Sequence, residues 1–322
     1  MGCRTLSSMR EWIVEPADAG TRLDKWLATR TDAGSRGRAS AWLARGKIYL
    51  DGQPVDASAG ARRLAAGDRV GLWLDRPGSA AAVDPAVRDA RASLRVIHED
   101  SSVVVVDKPP GLIVEPLPGR EGEEPTLLDL LADRDRHAPR ARAYVVHRID
   151  RDTTGVVLFA RTFAARDALK AQFARHTPAR IYQAVVMGCP APSSGTWRDM
   201  LAWDAASLRQ RRAHGRDARG KRAEAHYRIV ESFAETALVE VTLVTGKRNQ
   251  IRVQAALRGH PLLGERQYRF DPPEEPSGLP RIDRQALHAW RLSFVHPTTG
   301  RPATYTAPLP PDFVALLGAL RR

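Results

Sequence analysis

The chain has 322 residues, of which 43% are hydrophobic, so general disorder and a collagen-like structure are excluded. Its two cysteines are too few for a disulfide framework or a four-cysteine zinc site, and the sequence shows neither an apolar run of membrane-spanning length nor a secretory leader. With 50 basic and 37 acidic residues the formal net charge is +13, which favours a polyanionic partner such as nucleic acid, and we expect a soluble cytoplasmic protein.

Two short helices and a small hairpin are predicted near the N-terminus. Apolar residues at i, i+3, i+4 spacing predict helices around 23–27 and 39–43, and β-rich runs beside Asp-Gly and Gly-Asp turn signals predict strands at 47–50 and 69–74. The basic residues of this region lie on or beside the helices: Arg22, Lys25, Arg30, Arg36, Arg38, Arg45 and Lys47. The pattern predicts a small, basic α/β unit.

A linker is predicted after this unit. The stretch DRPGSAAAVDPAVRD at 75–89 is rich in small residues and contains proline, a composition typical of connections between domains. We therefore expect a module at residues 1–76, a linker at 77–92 and a larger domain at 93–322.

Strands and helices alternate irregularly in the larger domain. Predicted strands lie at 94–98, 103–106, 155–160, 180–187, 223–229, 237–244 and 287–295, and predicted helices begin at Thr162 or cover 249–257 and 312–320. In the helix from Thr162, Phe163, Leu169 and Phe173 are expected to face the core. The irregular order predicts an α+β domain with a mixed, largely antiparallel sheet rather than a doubly wound fold.

An Arg-rich stretch interrupts this pattern at 207–223, where seven basic residues accompany one acid. Two interpretations stay open for it: a solvated, disordered loop between strands, or a segment that contacts phosphates.

Several enzyme classes are excluded by missing motifs. There is no G-x-x-x-x-G-K-[ST] segment, no G-x-G-x-x-G after a strand, and no H-E-x-x-H or cysteine pair with metal-ligand spacing. We therefore expect neither a nucleotide cofactor nor a metal.

The segment VVHRIDRDTTGVVLFAR at 145–161 is the most informative in the chain. It places a polar loop between two apolar strands, a position that commonly carries function. Asp150 is flanked by Arg148 and Arg151, which are expected to keep it ionised and available as a nucleophile or base. By spacing alone Asp150 could equally cap a turn or pair structurally with Arg148.

The same segment resembles a family signature. His147-Arg148-Ile149-Asp150 followed by Thr153-Thr154-Gly155 is similar to the H-R-L-D-x-x-T-S-G motif of RluA-type pseudouridine synthases. Further similar segments, in the family's order, are Lys108-Pro109-Pro110-Gly111, Arg180-Ile181-Tyr182, the run from Thr245 to Val253, Leu287-His288-Ala289 and Phe294-Val295-His296-Pro297. The resemblance spans residues 94–300 and implies the pseudouridine synthase fold.

The sequence departs from the family pattern at a few positions. Lys247-Arg248-Asn249 stands where the family has Arg-x-His, Gln254 replaces a usual His, Thr154 replaces Ser, and Arg180 replaces Lys. These departures leave the chemistry in place and put the choice of target in doubt.

The N-terminal unit resembles the small RNA-binding module of ribosomal protein S-four. The similar segments are Arg22-Leu23-Asp24-Lys25-Trp26-Leu27, Gly46-Lys47-Ile48-Tyr49-Leu50-Asp51-Gly52 and Gly67-Asp68. The resemblance implies RNA contacts by Arg22, Lys25, Arg36, Arg38 and Lys47.

The family resemblance implies an isomerase that detaches uracil from its ribose and rejoins it through carbon, without a metal or a cofactor. Asp150 is then the carboxylate beside the sugar, acting either as a nucleophile or by removing a ribose proton. Arg252 is its expected ion-pair partner, which keeps its pKa low, and Tyr182 is expected to stack on the target base. Arg148 is expected to steady the site that the flipped uridine leaves.

The expected partner is RNA, with Lys247 and Arg248 as further RNA contacts. Large-subunit ribosomal RNA is the expected substrate of a monomeric enzyme. The alternatives are transfer RNA as the substrate, or a non-catalytic RNA-binding or ribosome-assembly factor.

Overall fold

The structure is a computed structural model that describes residues 9–31, 33, 36–44, 46–73, 94–116, 124–135, 142–204, 207, 209–213, 217–270 and 278–322. The chain divides into two compact units, Met1–Arg88 with Pro116–Pro125, and Asp89–Glu115 with Thr126–Arg322. The linker predicted at 77–92 lies outside the described residues.

A small antiparallel sheet and two helices form the first unit. Its elements are β1 (Arg10–Ile13), α1 (Leu23–Arg30), α2 (Arg36–Ala44), β2 (Ile48–Leu50), β3 (Gln53–Val55) and β4 (Arg69–Leu72). The strands follow the order β1-β4-β2-β3, and each pair is antiparallel. The predicted apolar stripe of α1 is confirmed, because Leu23, Trp26 and Leu27 are buried in one core with Ile48 and Leu72.

The second unit is built on an eleven-stranded sheet. Its elements are β5 (Arg95–Glu99), β6 (Val103–Lys108), α3 (Leu127–Arg134), β7 (Tyr144–Val145), β8 (Thr154–Ala160), α4 (Phe163–Ala174), β9 (Ala179–Met187), β10 (Ser194–Asp204), β11 (Arg209–Arg212), β12 (Lys221–Ser232), β13 (Thr236–Leu243), α5 (Gln250–Ala256), β14 (Leu287–Val295), β15 (Pro302–Thr306) and α6 (Pro311–Leu320). The strand order is β11-β10-β12-β13-β9-β14-β8-β6-β5, with β15 on β14 and β7 on β8. Of the strand pairs in the described residues, β8 with β14 is parallel and the others are antiparallel, so the predicted sheet type is confirmed.

Helices cover both faces of the central strands. Successive side chains of a strand point to opposite faces. Accordingly, Ala184 and Val186 of β9 share a core with Ile251 of α5, whereas Val185 shares a core with Phe313 of α6. Because Ile251 is buried in the core with Ala184 and Val186, α5 lies on that side of the sheet. Arg252, the next residue of α5, therefore lies on the same side.

The sheet splits beside β8. One edge of β8 pairs with β6, whereas its other edge pairs with β14 at its start and with β7 at its end. Gly155 has a φ of 109°, and a Cβ there would overlap the carbonyl oxygen of Ala289, so glycine is needed for β14 to come this close. The loop at 146–153, which carries Asp150, lies between β7 and β8 at this split.

The prediction that Phe163 faces the core is wrong. Phe163 is 56% exposed, because it begins α4 and packs at the surface on Tyr144 with ring centroids 4.4 Å apart. Leu169 is fully buried as expected, and Phe173 is half-buried against the same core.

The Arg-rich segment is not a loop throughout. Its residues 209–212 form β11, which pairs with β10, and β12 begins at Lys221. We call the described residues 209–213 and 217–222 the basic arm. The interpretation as a wholly disordered loop is therefore wrong for β11. No helix in the described ranges has the length and apolar character needed to cross a membrane.

Candidate active site

Asp150 lies in a loop whose main chain is held by a buried lysine. The Lys108 side chain is fully buried at the end of β6, and its Nζ donates hydrogen bonds to the carbonyl oxygens of Pro109 and Leu112 at 2.7 and 2.8 Å. A third bond of 2.6 Å reaches the carbonyl oxygen of Arg151, next to Asp150. Burial lowers the pKa of Lys108 to about 7. The three acceptors require all three N–H groups of the ammonium form, so they favour the charged lysine.

A buried arginine holds the same loop from the side of β14. Nη1 of Arg284 donates to the carbonyl oxygens of Asp152 and Leu287, at 3.1 and 3.2 Å. Its Nε and Nη2 donate to the carboxylate of Asp312 in α6 at 2.7 and 3.0 Å. The loop is therefore held by cations at the two residues that follow Asp150.

A neutral histidine anchors the start of the loop. Nε2 of His147 accepts the backbone N–H of Leu158 at 3.0 Å, and its ring stacks on Phe173 with centroids 4.8 Å apart. Burial, together with the charge of Arg180, lowers the pKa of His147 to about 3, so the ring is neutral at physiological pH. Its lone pair thus satisfies a strand N–H beside the split in the sheet.

The other motif histidines also make fixed hydrogen bonds. Nδ1 of His288 accepts from the Thr154 hydroxyl at 2.9 Å, and Nε2 donates to the carbonyl oxygen of Ala307 at 3.2 Å. Nε2 of His296 donates to Asp100 Oδ2 at 3.0 Å. Within the described ranges, no group of three or more His, Cys, Asp or Glu side chains is arranged to hold a metal ion.

Arg252 faces Asp150 from α5. Its Nη1 lies 3.8 Å from Asp150 Oδ2, while its Nε and Nη2 donate to the carboxylate of Glu265 at 2.6 and 2.7 Å. The Glu265 side chain is fully buried and also accepts the backbone N–H groups of Gln267 and Tyr268. Arg252 is therefore held mainly by Glu265, and Asp150 is its more distant partner.

Burial raises the pKa of Asp150 above its usual range. The side chain is only 25% exposed, and its loss of solvent outweighs the attraction of Arg252 and Lys108, while Glu265 adds repulsion. The expectation that neighbouring arginines keep this pKa low is therefore wrong. Desolvation is the larger effect, and the charge of Arg252 is shared with Glu265.

Tyr182 lies on β9 beside the loop at 146–153. It is buried in one core with Ile149 and Ile251, the neighbours in sequence of Asp150 and Arg252. Burial and the charge of Asp150 raise the pKa of Tyr182 to about 12, so the phenol keeps its proton at neutral pH. The structure thus brings Asp150, Arg252 and Tyr182 together.

Three basic residues of this unit, Arg148, Lys247 and Arg248, are predicted to contact RNA. Arg148 is exposed, and its Nη1 lies 3.4 Å from Glu115 Oε1. The guanidinium carbon of Arg248 lies 3.9 Å from the centroid of the Trp203 ring, a cation–π contact. Lys247, just before it, is half-buried.

Two basic residues of the first unit share one carboxylate. Nη2 of Arg22 and Nη2 of Arg36 lie 3.0 and 2.8 Å from Asp24 Oδ2. The hydrogen bonds from these two arginines hold the pKa of Asp24 well below its usual range, and the bond from Arg22 has the larger effect. Of the other residues predicted to bind RNA, Lys25 is exposed, Lys47 is half-buried, and the side chain of Arg38 lies outside the described residues.

Comparison with known proteins identifies the family. A family model described as RNA pseudouridylate synthase matches residues 102–257. A Xanthomonas campestris protein named ribosomal large subunit pseudouridine synthase D is 36% identical over 334 residues, which cover 98% of this chain and 93% of the relative. The Bacillus subtilis protein named uncharacterized RNA pseudouridine synthase YlyB is 34% identical and covers 94% of each chain. The chain belongs to the RluA family of RNA pseudouridine synthases.

Solved structures agree with the fold of this pseudouridine synthase. Human RNA pseudouridylate synthase domain containing 4 has a TM-score of 0.59 at 24% identity, covering 70% of this chain and 93% of that chain. Human RNA pseudouridylate synthase domain containing 1 has a TM-score of 0.55 at 21% identity, covering 72% and 96%. The predicted fold is confirmed, and the family assignment confirms the predicted isomerase.

Sequence reasoning missed three residues that shape the site of this pseudouridine synthase. Glu265 and Arg284 are buried charges that hold Arg252 and the loop at 146–153, and Trp203 stacks on Arg248. No local pattern assigns a partner to such residues, because each contact joins separate segments of the chain. Lys108 is a fourth such residue, and it alone had a signal, because it belongs to one of the family motifs.

Proposed function

We propose that this pseudouridine synthase acts on large-subunit ribosomal RNA, with Asp150 as its catalytic carboxylate. The grouping of Asp150 with Arg252 and Tyr182 in the family fold carries the assignment of the site. The name of the Xanthomonas campestris relative, which includes the large ribosomal subunit, supports the RNA class.

The reaction needs a carboxylate beside the ribose. The glycosidic bond from C1′ to N1 breaks, a new bond forms from C1′ to C5, and the C5 proton is lost while N1 gains one. Asp150 can serve by attacking as a nucleophile or by removing a ribose proton, and both routes require its ionised form. A desolvated carboxylate with a raised pKa is more basic than an exposed one, which suits either route.

The neighbouring residues have distinct roles in this proposal. Arg252 supports the charge of Asp150, and the protonated Tyr182 offers an aromatic face to the uracil. Flipping the uridine out of its stack costs a few kcal/mol. The exposed Arg148 is available to occupy the vacated position.

RNA affinity comes from several basic surfaces in this proposal. We assign residues 1–76 to an S-four-like RNA-binding module, 77–92 to a linker and 93–322 to the catalytic domain. Asp24 supports this assignment, because it orients two exposed arginines of the module. The basic arm and Arg248 add phosphate contacts, so binding should depend strongly on salt. We further propose a monomer that works in the cytoplasm.

Mapping of pseudouridines in total RNA tests the function. Cells that lack the protein are compared with cells that carry it and with cells that carry Asp150→Asn. We expect at least one position in large-subunit ribosomal RNA to be modified only with the native chain. Asp152→Asn is the matched control, because it removes a neighbouring carboxylate and should preserve the modification. If only positions in transfer RNA lose their modification, the substrate is transfer RNA and not ribosomal RNA.

A further inference from the structure

Asn249 stands at a strained turn immediately before α5. Its φ is 52° and its ψ is 26°, a left-handed conformation that asparagine tolerates better than most residues. The family pattern has a histidine at this position, so the residue is one of the departures noted in the sequence. Its side chain makes two contacts that connect it to the catalytic site.

Both ends of the Asn249 amide are occupied. Oδ1 accepts a hydrogen bond from Arg252 Nη1 at 3.2 Å, and Nδ2 donates to the Tyr268 hydroxyl at 2.8 Å. Arginine can only donate, so the oxygen of the amide must face Arg252 and its orientation is determined.

The Tyr268 hydroxyl extends this chain of bonds to the basic arm. It also accepts the backbone N–H of Gln210 in β11, at 3.1 Å. Tyr268 is almost fully buried, and the Arg252 guanidinium lies 5.1 Å from the centroid of its ring. A main-chain group of the arm is thereby linked, through Tyr268 and Asn249, to the arginine that faces the catalytic carboxylate.

All three nitrogen atoms of the Arg252 guanidinium have acceptors other than Asp150. Glu265 takes Nε and Nη2, and Asn249 takes Nη1. The distance from Nη1 to Asp150 Oδ2 is 3.8 Å, which is longer than a hydrogen bond. The arginine is therefore close enough to stabilise the charge of Asp150 while the carboxylate oxygens stay available.

We propose that Asn249 is a positioning residue that holds Arg252 just beyond hydrogen-bond distance of Asp150 and couples this spacing to the basic arm through Tyr268. The function of this spacing rests on the proposed role of Asp150. A direct bidentate or monodentate pair would occupy the lone pairs that attack or take a proton. RNA that binds to β11 would change the distance between Arg252 and Asp150 through the Tyr268 hydroxyl.

The pKa of Asp150 depends on its distance from the charged and titratable groups around it, so a titration of Asp150 reports its distance from Arg252. These groups are Arg252 on α5, Glu265 after α5, Lys108 at the end of β6, Tyr182 on β9 and Arg148 in the loop itself. A change at Asn249 alters the distance of only one of them, Arg252, from the carboxylate.

Carbon-13 NMR titration of labelled aspartate in the full chain measures this effect without RNA. Asp150→Asn identifies the Asp150 signal. Asn249→Gly removes the side-chain amide, and glycine adopts the left-handed conformation without strain. Arg252 then moves closer to Asp150, so the midpoint of the Asp150 titration falls by about half a pH unit or more. Asn249→Asp keeps an acceptor for Arg252 and adds a like charge, so the midpoint rises by about half a unit or more.

Activity and coupling are read in the same variants. Asn249→Gly should lower kcat by about fivefold or more while KM stays within about twofold, because reactivity changes and binding does not. Tyr268→Phe should shift the Asp150 midpoint in the same direction as Asn249→Gly, and the double variant should shift it no further than Asn249→Gly alone. Tyr227→Phe is the matched control: its buried hydroxyl donates to the Pro192 carbonyl oxygen at 2.8 Å and belongs to none of the bonds that lead to Arg252, so its loss should leave the midpoint unchanged.

Two outcomes would overturn the proposal. An unchanged Asp150 midpoint in Asn249→Gly and Asn249→Asp, with only a lower Tm, would make Asn249 a turn residue alone. Additive shifts of the Asp150 midpoint from Tyr268→Phe and Asn249→Gly would show that Tyr268 does not act through Asn249. If the midpoints shift as expected but the native enzyme modifies no ribosomal RNA, the positioning role stands and the proposed substrate fails.

Discussion

Arg284→Met tests whether the buried guanidinium holds the main chain of the loop that carries Asp150. The Arg284 side chain is 6% exposed, and the substitution keeps an unbranched side chain while it removes the guanidinium and the bonds from Nη1 to the carbonyl oxygens of Asp152, Gln285 and Leu287. Hydrogen bonds from a charged donor contribute roughly 1.5–3 kcal/mol each. The pair with Asp312, which is 41% exposed, adds about 1 kcal/mol or less.

The expected loss of stability is therefore about 3–4 kcal/mol, taking the lower value for each of the two N–H groups that Nη1 can donate to these carbonyl oxygens and adding the pair with Asp312. For a unit of this size, 1 kcal/mol corresponds to roughly 2–4 °C, so Tm should fall by about 6–16 °C. Asp152 lies two residues after Asp150, and misplacement by 1 Å can cost about 10²-fold in rate. We expect kcat to fall by about 30- to 100-fold with KM within about threefold.

The assay is release of tritium from C5-labelled uridine in RNA, because the C5 proton leaves during the reaction. Arg284→Lys should restore part of kcat, since a lysine can still reach one carbonyl. Asp312→Asn removes only the charge of the exposed partner and should change Tm by about 4 °C or less. Wild-type kcat in a folded Arg284→Met variant, or an equal loss in Asp312→Asn, would refute the role of the carbonyl contacts.

Four further outcomes are expected. Asp150→Asn should abolish tritium release and leave RNA affinity nearly unchanged, and substantial residual activity would remove Asp150 from the catalytic role. Because burial raises the pKa of Asp150, kcat should fall on acidification through a pH above the range of an exposed aspartate; a pH–rate profile that stays flat down to that range would contradict this. Deletion of residues 1–85 should weaken RNA binding more than it slows the reaction on a short substrate, and unchanged affinity would argue against the S-four-like module. Arg248→Gln should reduce the salt dependence of RNA binding by about one phosphate contact, and an unaltered slope would limit Arg248 to its contact with Trp203.

Local patterns were sufficient where a side-chain period reflects one buried face. The stripe of α1 follows from such a period, because an amphipathic helix has one way to bury its apolar side. The strands around 155–160 and 180–187 follow instead from short continuous apolar runs, which are typical of strands buried on both faces. The exposure of Phe163 did not follow from its helical spacing, since such spacing does not show which turn extends beyond the sheet. Local patterns also missed β11, whose polar sequence is held mainly through main-chain pairing with β10.

The three residues of the candidate site could be named in advance because each belongs to a contiguous motif. Their electrostatics could not. The raised pKa of Asp150, the buried Glu265 that shares Arg252, and the link from Asn249 to the basic arm all depend on burial and on distances between separate segments. Local sequence determines which residue types are present and which face of an element is buried. Packing then sets how much solvent Asp150 loses and how far Arg252 lies from it, because these quantities are properties of the assembled sheet and helices.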